Sequence, residues 1–503
     1  MTATQTPAGD GRTPPGDAAA APSTGEYAAS WESLRTHRMP DWFRDAKVGI
    51  MVTWTPASVP AWAPVQGDLP SLLREHGDAY YFANNPYAEW YGNSMRIVGS
   101  PSARHHEETY GADFPYEQFG RMFEAAASRC DPAHWADVFA AAGARYAVLV
   151  TKHHDGYLLW PSRHQNPKAP DFHADRDFVG LAADAVRARG MRFGAYYSGG
   201  LDWTWNRDVI RDIPTQLGSI VKDPAYAQLA DDHWLELIDR YRPDILWGDI
   251  GYPKAGDLEQ VFARFYNTVA DGIINDRFAQ EVPVTYDISE MVLSPANLHN
   301  DFVTPEYGAF DSTRLDPWES TRGIGFSFGY NAAEAEATHM TLREMVHLLA
   351  NVVSRNGNLL LGVGPMANGT IPTLQLERLA RFGCWLRVNG DAIYGTRPWI
   401  VCGGTSREGI PVRYTTKGGD LFAILLDDVG ATTVSIDGVR PSPGSALVAL
   451  DSGQPVRWQF EGNVLTMTLP AAASAFPARV VRIQGGARSR CRPGVEGDAE
   501  AAS

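Results

Sequence analysis

The chain has 503 residues, with 44 Lys and Arg against 59 Asp and Glu for a formal net charge of −15. That balance repels phosphate backbones and anionic lipid surfaces, so nucleic acid and membranes are ruled against as partners. The four cysteines, Cys130, Cys384, Cys402 and Cys491, show no CxxC spacing and argue against a disulfide framework or a structural zinc, and the length exceeds one typical domain.

Residues 1–26 are mostly Ala, Pro, Gly and Thr, cannot bury enough apolar surface to offset chain entropy, and are predicted to form a disordered tail. They also lack a basic stretch followed by an apolar core, and no run approaches the roughly 20 apolar residues of a membrane span, which predicts a cytoplasmic protein. Beyond this tail, short apolar runs alternate with amphipathic stretches, the pattern of parallel strands joined by crossover helices. Strands are predicted at 47–54, 145–151, 191–197, 244–249, 283–287 and 358–364. Their runs GIMVTW, YAVLVT, DILWGD and NLLLGVG are apolar without strict alternation, as in strands covered on both faces.

Helices are predicted at 131–143, 175–189, 226–241, 258–270, 342–353 and 372–388. The first has the clearest signals: Asp131 as N-cap, Pro132 in the first turn, Trp135, Val138, Phe139 and Ala142 on one stripe, and Gly143 at the stop. Together these elements predict a TIM-like (β/α) barrel over residues 33–395, with a doubly wound open sheet as the competing topology. Near Trp399 the rhythm changes to VRYTTK, LFAILL, TTVSI, VRWQF, NVLTMTL and RVVRI between Gly, Asp and Pro turns. These predict a β-sandwich over 396–485, followed by a second disordered tail over 486–503.

In a parallel barrel the chemistry sits at the carboxyl ends of strands, so strands ending in ionisable groups are the candidates. Two-residue periodicity puts Ile245, Trp247 and Asp249 on one side of DILWGD, with Asp249 the only acid there. An acid two residues after a tryptophan, at a strand end, suits a nucleophile beneath a sugar ring, the alternative being a cap on the next turn. His153 and His154 are strand neighbours that can touch one ligand only where the strand ends, which is where they lie. No further metal-ligand spacing accompanies them, so no metal and no cofactor are predicted. A second carboxyl group is needed for glycoside chemistry. Glu290, Glu306 and Glu319 are the candidates after Asp249, and Glu306 in DFVTPEYG is preferred because a Pro and a Gly-containing turn place it in a loop.

With these residues in place, the chain resembles the α-L-fucosidases of glycoside hydrolase family 29 from about Trp42 to about Trp399. The segments that carry the resemblance are WFRDAKVGI, SVPAW, EWYGNSM, HWADVFAAAGARYAVLVTKHHDGYLLWPS, LWGDIGYP, WESTRGIGFSFGYN and GDAIYG. The resemblance implies a barrel followed by a β-sandwich, no metal, and hydrolysis of α-L-fucosides or similar 6-deoxy sugars with retention through a covalent glycosyl-enzyme. It puts the nucleophile on Asp249 and the acid/base on Glu306, and sugar contacts on Glu89, Trp90, His153, His154, Tyr196, Trp247 and Arg277. Rival readings are a transglycosidase acting on a modified deoxy sugar and a noncatalytic sugar-binding protein. The partners predicted are a small saccharide or glycoside and, as an option the sequence leaves open, further copies of this chain.

Two positions depart from the family pattern. Thr53 stands where an imidazole usually contacts the sugar's hydroxyl edge, and Gly362 stands where an asparagine is common. A threonine is shorter and uncharged, so Thr53 predicts either slow hydrolysis of simple L-fucosides or a preference for a sugar altered at that edge.

Overall fold

The computed structural model describes residues 27–281, 299–427, 432–473 and 475–486. Residues 1–26, almost all of the second predicted tail, the strand predicted at 283–287, Glu290 and Cys491 fall outside them.

Seven parallel strands form one curved sheet: β1 (Val48–Val52), β2 (Tyr146–Lys152), β3 (Arg192–Ser198), β4 (Ile245–Asp249), β5 (Ile273–Ile274), β6 (Trp318–Gly323) and β7 (Gly357–Val363). Their order is β5-β4-β3-β2-β1-β7-β6. Between the two edges runs the segment at 302–306, joined to both by the parallel bridges Asn275↔Phe302, Val303↔Trp318 and Glu306↔Thr321. It acts as an eighth stave and closes the ring, so the barrel prevails over the open sheet. Helices Pro132–Ala141, Phe178–Ala188, Pro224–Tyr241, Leu258–Thr268, Leu342–Ser354 and Thr373–Asn389 alternate with the strands, each within a few residues of its predicted place. Asp131 caps the first of them by accepting from Ala133 N at 3.0 Å, and Gly143 follows it at a φ of 91°.

Sequence reasoning missed β5, the stave at 302–306 and β6. The β6 sequence WESTRG is polar because its inward side chains, Glu319 among them, line the barrel interior, so a search for apolar runs passes over it. Elsewhere alternation sorts the side chains into two cores. Ile245 and Trp247 of β4 pack inside the barrel with Met51, Val148, Tyr196 and Leu360. Leu246 packs outward with Ile50, Leu149 and Phe193 against helix residues such as Trp135, Phe178 and Trp234.

Beyond the barrel, β8 (Arg397–Thr405), β9 (Pro411–Lys417), β10 (Asp420–Leu425), β11 (Thr433–Asp437), β12 (Leu447–Ala449), β13 (Arg457–Glu461), β14 (Val464–Thr468) and β15 (Arg479–Ile483) form two sheets, ordered β12-β15-β10-β9-β8 and β11-β14-β13. On β10, Leu421 and Ala423 face the smaller sheet with Val434, Leu465 and Met467. Phe422 and Ile424 face the barrel's helices with Leu349 and Trp385. Trp385 Nε1 also donates to Ala478 O at 3.1 Å, which ties the two parts together.

One buried group works against stability. Lys47, just before β1, is fully buried with no hydrogen-bond partner for Nζ, and burial pulls its pKa down to about 7 from 10.5. Below pH 7 the ammonium is charged in both the folded and unfolded chain, and the full burial penalty opposes folding. From pH 7 to 10.5 only the unfolded chain holds the proton, so the penalty shrinks as pH rises. Lys47→Met should therefore stabilise the fold by on the order of 3 kcal/mol at pH 6, with a smaller gain at pH 9. Urea titrations at both pH values test this, and equal or lower stability of the variant at pH 6 would refute it.

Candidate active site

The carboxyl ends of the strands and the loops above them enclose a cleft. The ten residues the resemblance and its Thr53 departure put at the site line it: Thr53, Glu89, Trp90, His153, His154, Tyr196, Trp247, Asp249, Arg277 and Glu306.

Asp249 ends β4, where Asn275 clamps the preceding peptide by accepting from Gly248 N at 2.9 Å and donating to Gly248 O at 3.0 Å. Ile250 follows at a φ of 49°, a left-handed conformation that costs a β-branched residue roughly 1–3 kcal/mol. Its carbonyl passes so close to Gly200 that a Cβ there would sit 1.9 Å from the oxygen, so this turn depends on glycine at 200. Gly251 N donates to Arg277 O at 3.0 Å and fixes the strand end to the next loop.

Arg277 joins the two acids. Its Nη1 donates to Asp249 Oδ1 at 2.9 Å and to Glu306 Oε2 at 3.0 Å. Two contacts to one nitrogen keep those oxygens within about 6 Å of each other. That bound suits the roughly 5–5.5 Å of retaining glycosidases better than the ~6.5–9.5 Å of inverting ones. The guanidinium is itself held by Thr304, through Nε to Oγ1 at 2.8 Å and Nη2 to the carbonyl at 2.9 Å, and lies 4.8 Å from the Trp247 ring. Burial works against its charge, but Asp249 and Glu306 outweigh that and raise its pKa.

The other oxygen of each acid also has a donor. Tyr196 OH donates to Asp249 Oδ2 at 2.6 Å, so this predicted sugar contact holds the aspartate. Tyr87 OH donates to Glu306 Oε1 at 2.7 Å. Tyr87 was not predicted, although it stands two residues before Glu89 in NPYAEW. Glu306 is bridged to Thr321 of β6, so it sits on the eighth stave and not in a free loop. Glu319, the rival acid, lies beneath the cleft, where it accepts from Trp247 Nε1 at 3.1 Å and from Tyr146 OH. Burial raises it to about 7.

The histidines are kept neutral, since burial pushes both pKa values well below 6.5. Ser198 Oγ donates to Leu201 O at 2.9 Å, so it must accept from His154 Nδ1 at 2.6 Å. This assigns the proton to Nδ1 and leaves Nε2, 3.8 Å from Asp249 Oδ2, as an acceptor toward the cleft. His153 Nδ1 and Thr321 Oγ1 are buried without a hydrogen-bond partner, and both residues line the cleft. Glu89 Oε2 accepts from Gly329 N at 2.8 Å and Ser327 Oγ at 3.0 Å, and burial raises its pKa to about 7. Trp90 meets His154 edge to face at 5.0 Å.

The departure at Gly362 does more than loosen strand packing. A Cβ there would stand 2.6 Å from Phe328 Cδ1, and Phe328 lines the cleft, so the missing side chain makes room for that ring. Among the described residues, the one group with metal-ligand geometry is His37, His299 and Asp301, away from the cleft. Its atoms are engaged internally: Asp301 Oδ2 takes Tyr266 OH and Ile274 N, each at 2.8 Å, and His37 Nδ1 pairs with Asp301 Oδ1 at 2.8 Å.

A family model described as Alpha-L-fucosidase matches residues 17–391. The alpha-L-fucosidase of Branchiostoma floridae is 31% identical over 481 residues, covering 91% of this chain and 96% of that protein. The tissue alpha-L-fucosidase of Bos taurus is 34% identical over 415 residues, covering 80% and 77%. Among solved structures, an alpha-L-fucosynthase of Thermotoga maritima with a bound fucosyl azide disaccharide matches at a TM-score of 0.81 and 39% identity, over 92% of this chain and all of that one. The alpha-fucosidase of the same organism, in complex with a mechanism-based inhibitor, matches at a TM-score of 0.79 and 39% identity, over 91% and 99%.

Proposed function

Because the chain belongs to the alpha-L-fucosidase family of glycoside hydrolases, we propose that it hydrolyses α-L-fucosides with retention, using Asp249 as nucleophile and Glu306 as acid/base. The observation that carries this reading is the single Arg277 nitrogen on which both carboxylates converge at the floor of one cleft. Asp249 attacks the anomeric carbon while Glu306 gives its proton to the departing oxygen, so the glycosidic bond breaks as the aspartyl ester forms. Glu306 then takes a proton from water, the water oxygen attacks the anomeric carbon, and the ester bond to Asp249 breaks. Two inversions leave the sugar in its starting configuration. Arg277 and Tyr196 hold the attacking carboxylate in line, and His154 Nε2 accepts from a ring hydroxyl.

Thr53 offers the cleft a short hydroxyl where relatives carry an imidazole, which supports a sugar altered at that edge as the preferred substrate. The test of the function is proton NMR on an aryl α-L-fucoside, where α-L-fucose should appear first and mutarotate later. First formation of the β anomer, or no turnover, would refute retention or the activity. Running the same reaction with added alcohol separates hydrolysis from sugar transfer, because transfer would divert the product to the alkyl α-L-fucoside.

A further inference from the structure

The cleft has two chemically distinct zones. Its floor, at the strand ends, is polar and buried, and holds the two acids, Arg277 and the histidines. Its outer wall comes from two loops and is apolar. Leu69 and Leu73 stand one helical turn apart on Leu69–His76, in the connection after β1. Ile213 and Leu217 do the same on Ile213–Gly218, in the connection after β3. Side chains four apart on a helix share a face, so each helix presents an apolar ridge to the cleft. Ile250, immediately after Asp249, continues this surface, and Gln216 is the one polar side chain among them.

The wall is a built feature. Asp212 and Thr215 form a capping box on the second helix, and Ile213 N donates to Asp78 Oδ2 at 3.1 Å, which ties that helix to Asp78–Ala83 directly after the first. All but Leu69 of these wall residues are half-buried, and Leu69 is buried.

Resting on the fucosidase reading, we propose that this wall is the leaving-group subsite and that it takes an apolar aglycone, an alkyl, isoprenoid-like or aromatic alcohol, in preference to a second sugar. The polar floor accounts for the sugar, which leaves the apolar wall for the group the sugar is attached to. The departing oxygen must leave toward the open side of the cleft. A sugar there would bring several hydroxyls against leucine and isoleucine with Gln216 as sole partner, leaving polar groups desolvated and unpaired. An alkyl or aryl group instead gains from burial against the same surface.

The test uses methyl, butyl and hexyl α-L-fucosides, whose alcohols are matched in acidity so that the chemical step stays constant, together with a fucosyl disaccharide. Each added methylene buried against the wall should raise kcat/KM about two- to fourfold, and the disaccharide should fall below the hexyl compound. In the double variant Leu73→Asn, Leu217→Asn the slope along the series should flatten. A flat series for the wild-type enzyme, or a disaccharide cleaved faster than the hexyl fucoside, overturns the apolar subsite while leaving the fucosidase reading intact. Failure to cleave any of the four compounds, and an aryl α-L-fucoside as well, overturns the fucosidase reading and this proposal with it.

Discussion

Asp249→Gly should lose about 10⁴-fold or more in kcat on every fucoside, because it removes the carboxylate proposed to form the glycosyl ester. The loss should also be chemically reversible. Removing the carboxylate takes the partner from Tyr196 OH and one of the two acceptors from Arg277 Nη1, and leaves a small cavity beside a buried cation. A small anion such as azide is attracted to that position and can attack the anomeric carbon from the face Asp249 uses. The expected product is the β-configured fucosyl azide, formed once per substrate and not hydrolysed further. Turnover of the variant at the wild-type rate would remove Asp249 from the mechanism. Rescue that gave an α-configured azide would place the nucleophile on the other face of the sugar.

Glu306→Ala should split substrates by leaving group. Alkyl fucosides need a proton on the departing oxygen and should lose about 10²–10⁴-fold in kcat/KM. A dinitrophenyl fucoside leaves as a stable anion, so its kcat/KM should stay within about tenfold of wild type while kcat falls, since water must then attack the ester unaided. Equal losses on both substrates would show that Glu306 acts as a structural ligand of Arg277 and not as the acid. Tyr87→Phe provides the comparison for geometry alone, because it removes the 2.7 Å hydrogen bond to Glu306 Oε1 and leaves the carboxyl group in place.

The strands that could be read from sequence are those whose residues are apolar as well as buried, since the missed β6 is buried too. β2, β3, β4 and β7 are buried along nearly their whole length, and their apolar runs announce them. Asp249 was legible because two-residue alternation isolates it on the inward side of β4, and the structure places it with Trp247 at the cleft. β6 was not legible, because a barrel interior that must hold Glu319 and a polar floor breaks the apolar pattern. The two-residue β5 and the stave at 302–306 are too short to carry any periodicity.

What no one-dimensional pattern could supply is which side chains share a proton donor. Arg277 lies 28 residues from Asp249 and 29 from Glu306, yet one of its nitrogens serves both. The hydrogen bond of Tyr196 to Asp249 was hidden for the same reason, since it is created by the pairing of β3 with β4. Gly362 shows the converse, a departure visible in sequence whose effect on the cleft emerges only through the ring of Phe328.

The eighth stave has a consequence for how the enzyme meets heat. Asp249 belongs to a strand in continuous register with β3 from Gly194↔Ile245 to Ser198↔Asp249, whereas Glu306 is carried on a short stave whose ladder to β6 consists of Val303 N to Pro317 O at 3.3 Å, Glu319 N to Val303 O at 2.9 Å, Thr321 N to Pro305 O at 3.1 Å and Tyr307 N to Thr321 O at 2.8 Å. The two proposed catalytic acids thus stand on ladders of unequal length. Short ladders open at lower free energy than long ones, so on heating the alignment of the proposed proton donor with the proposed nucleophile should decay before the barrel as a whole unfolds.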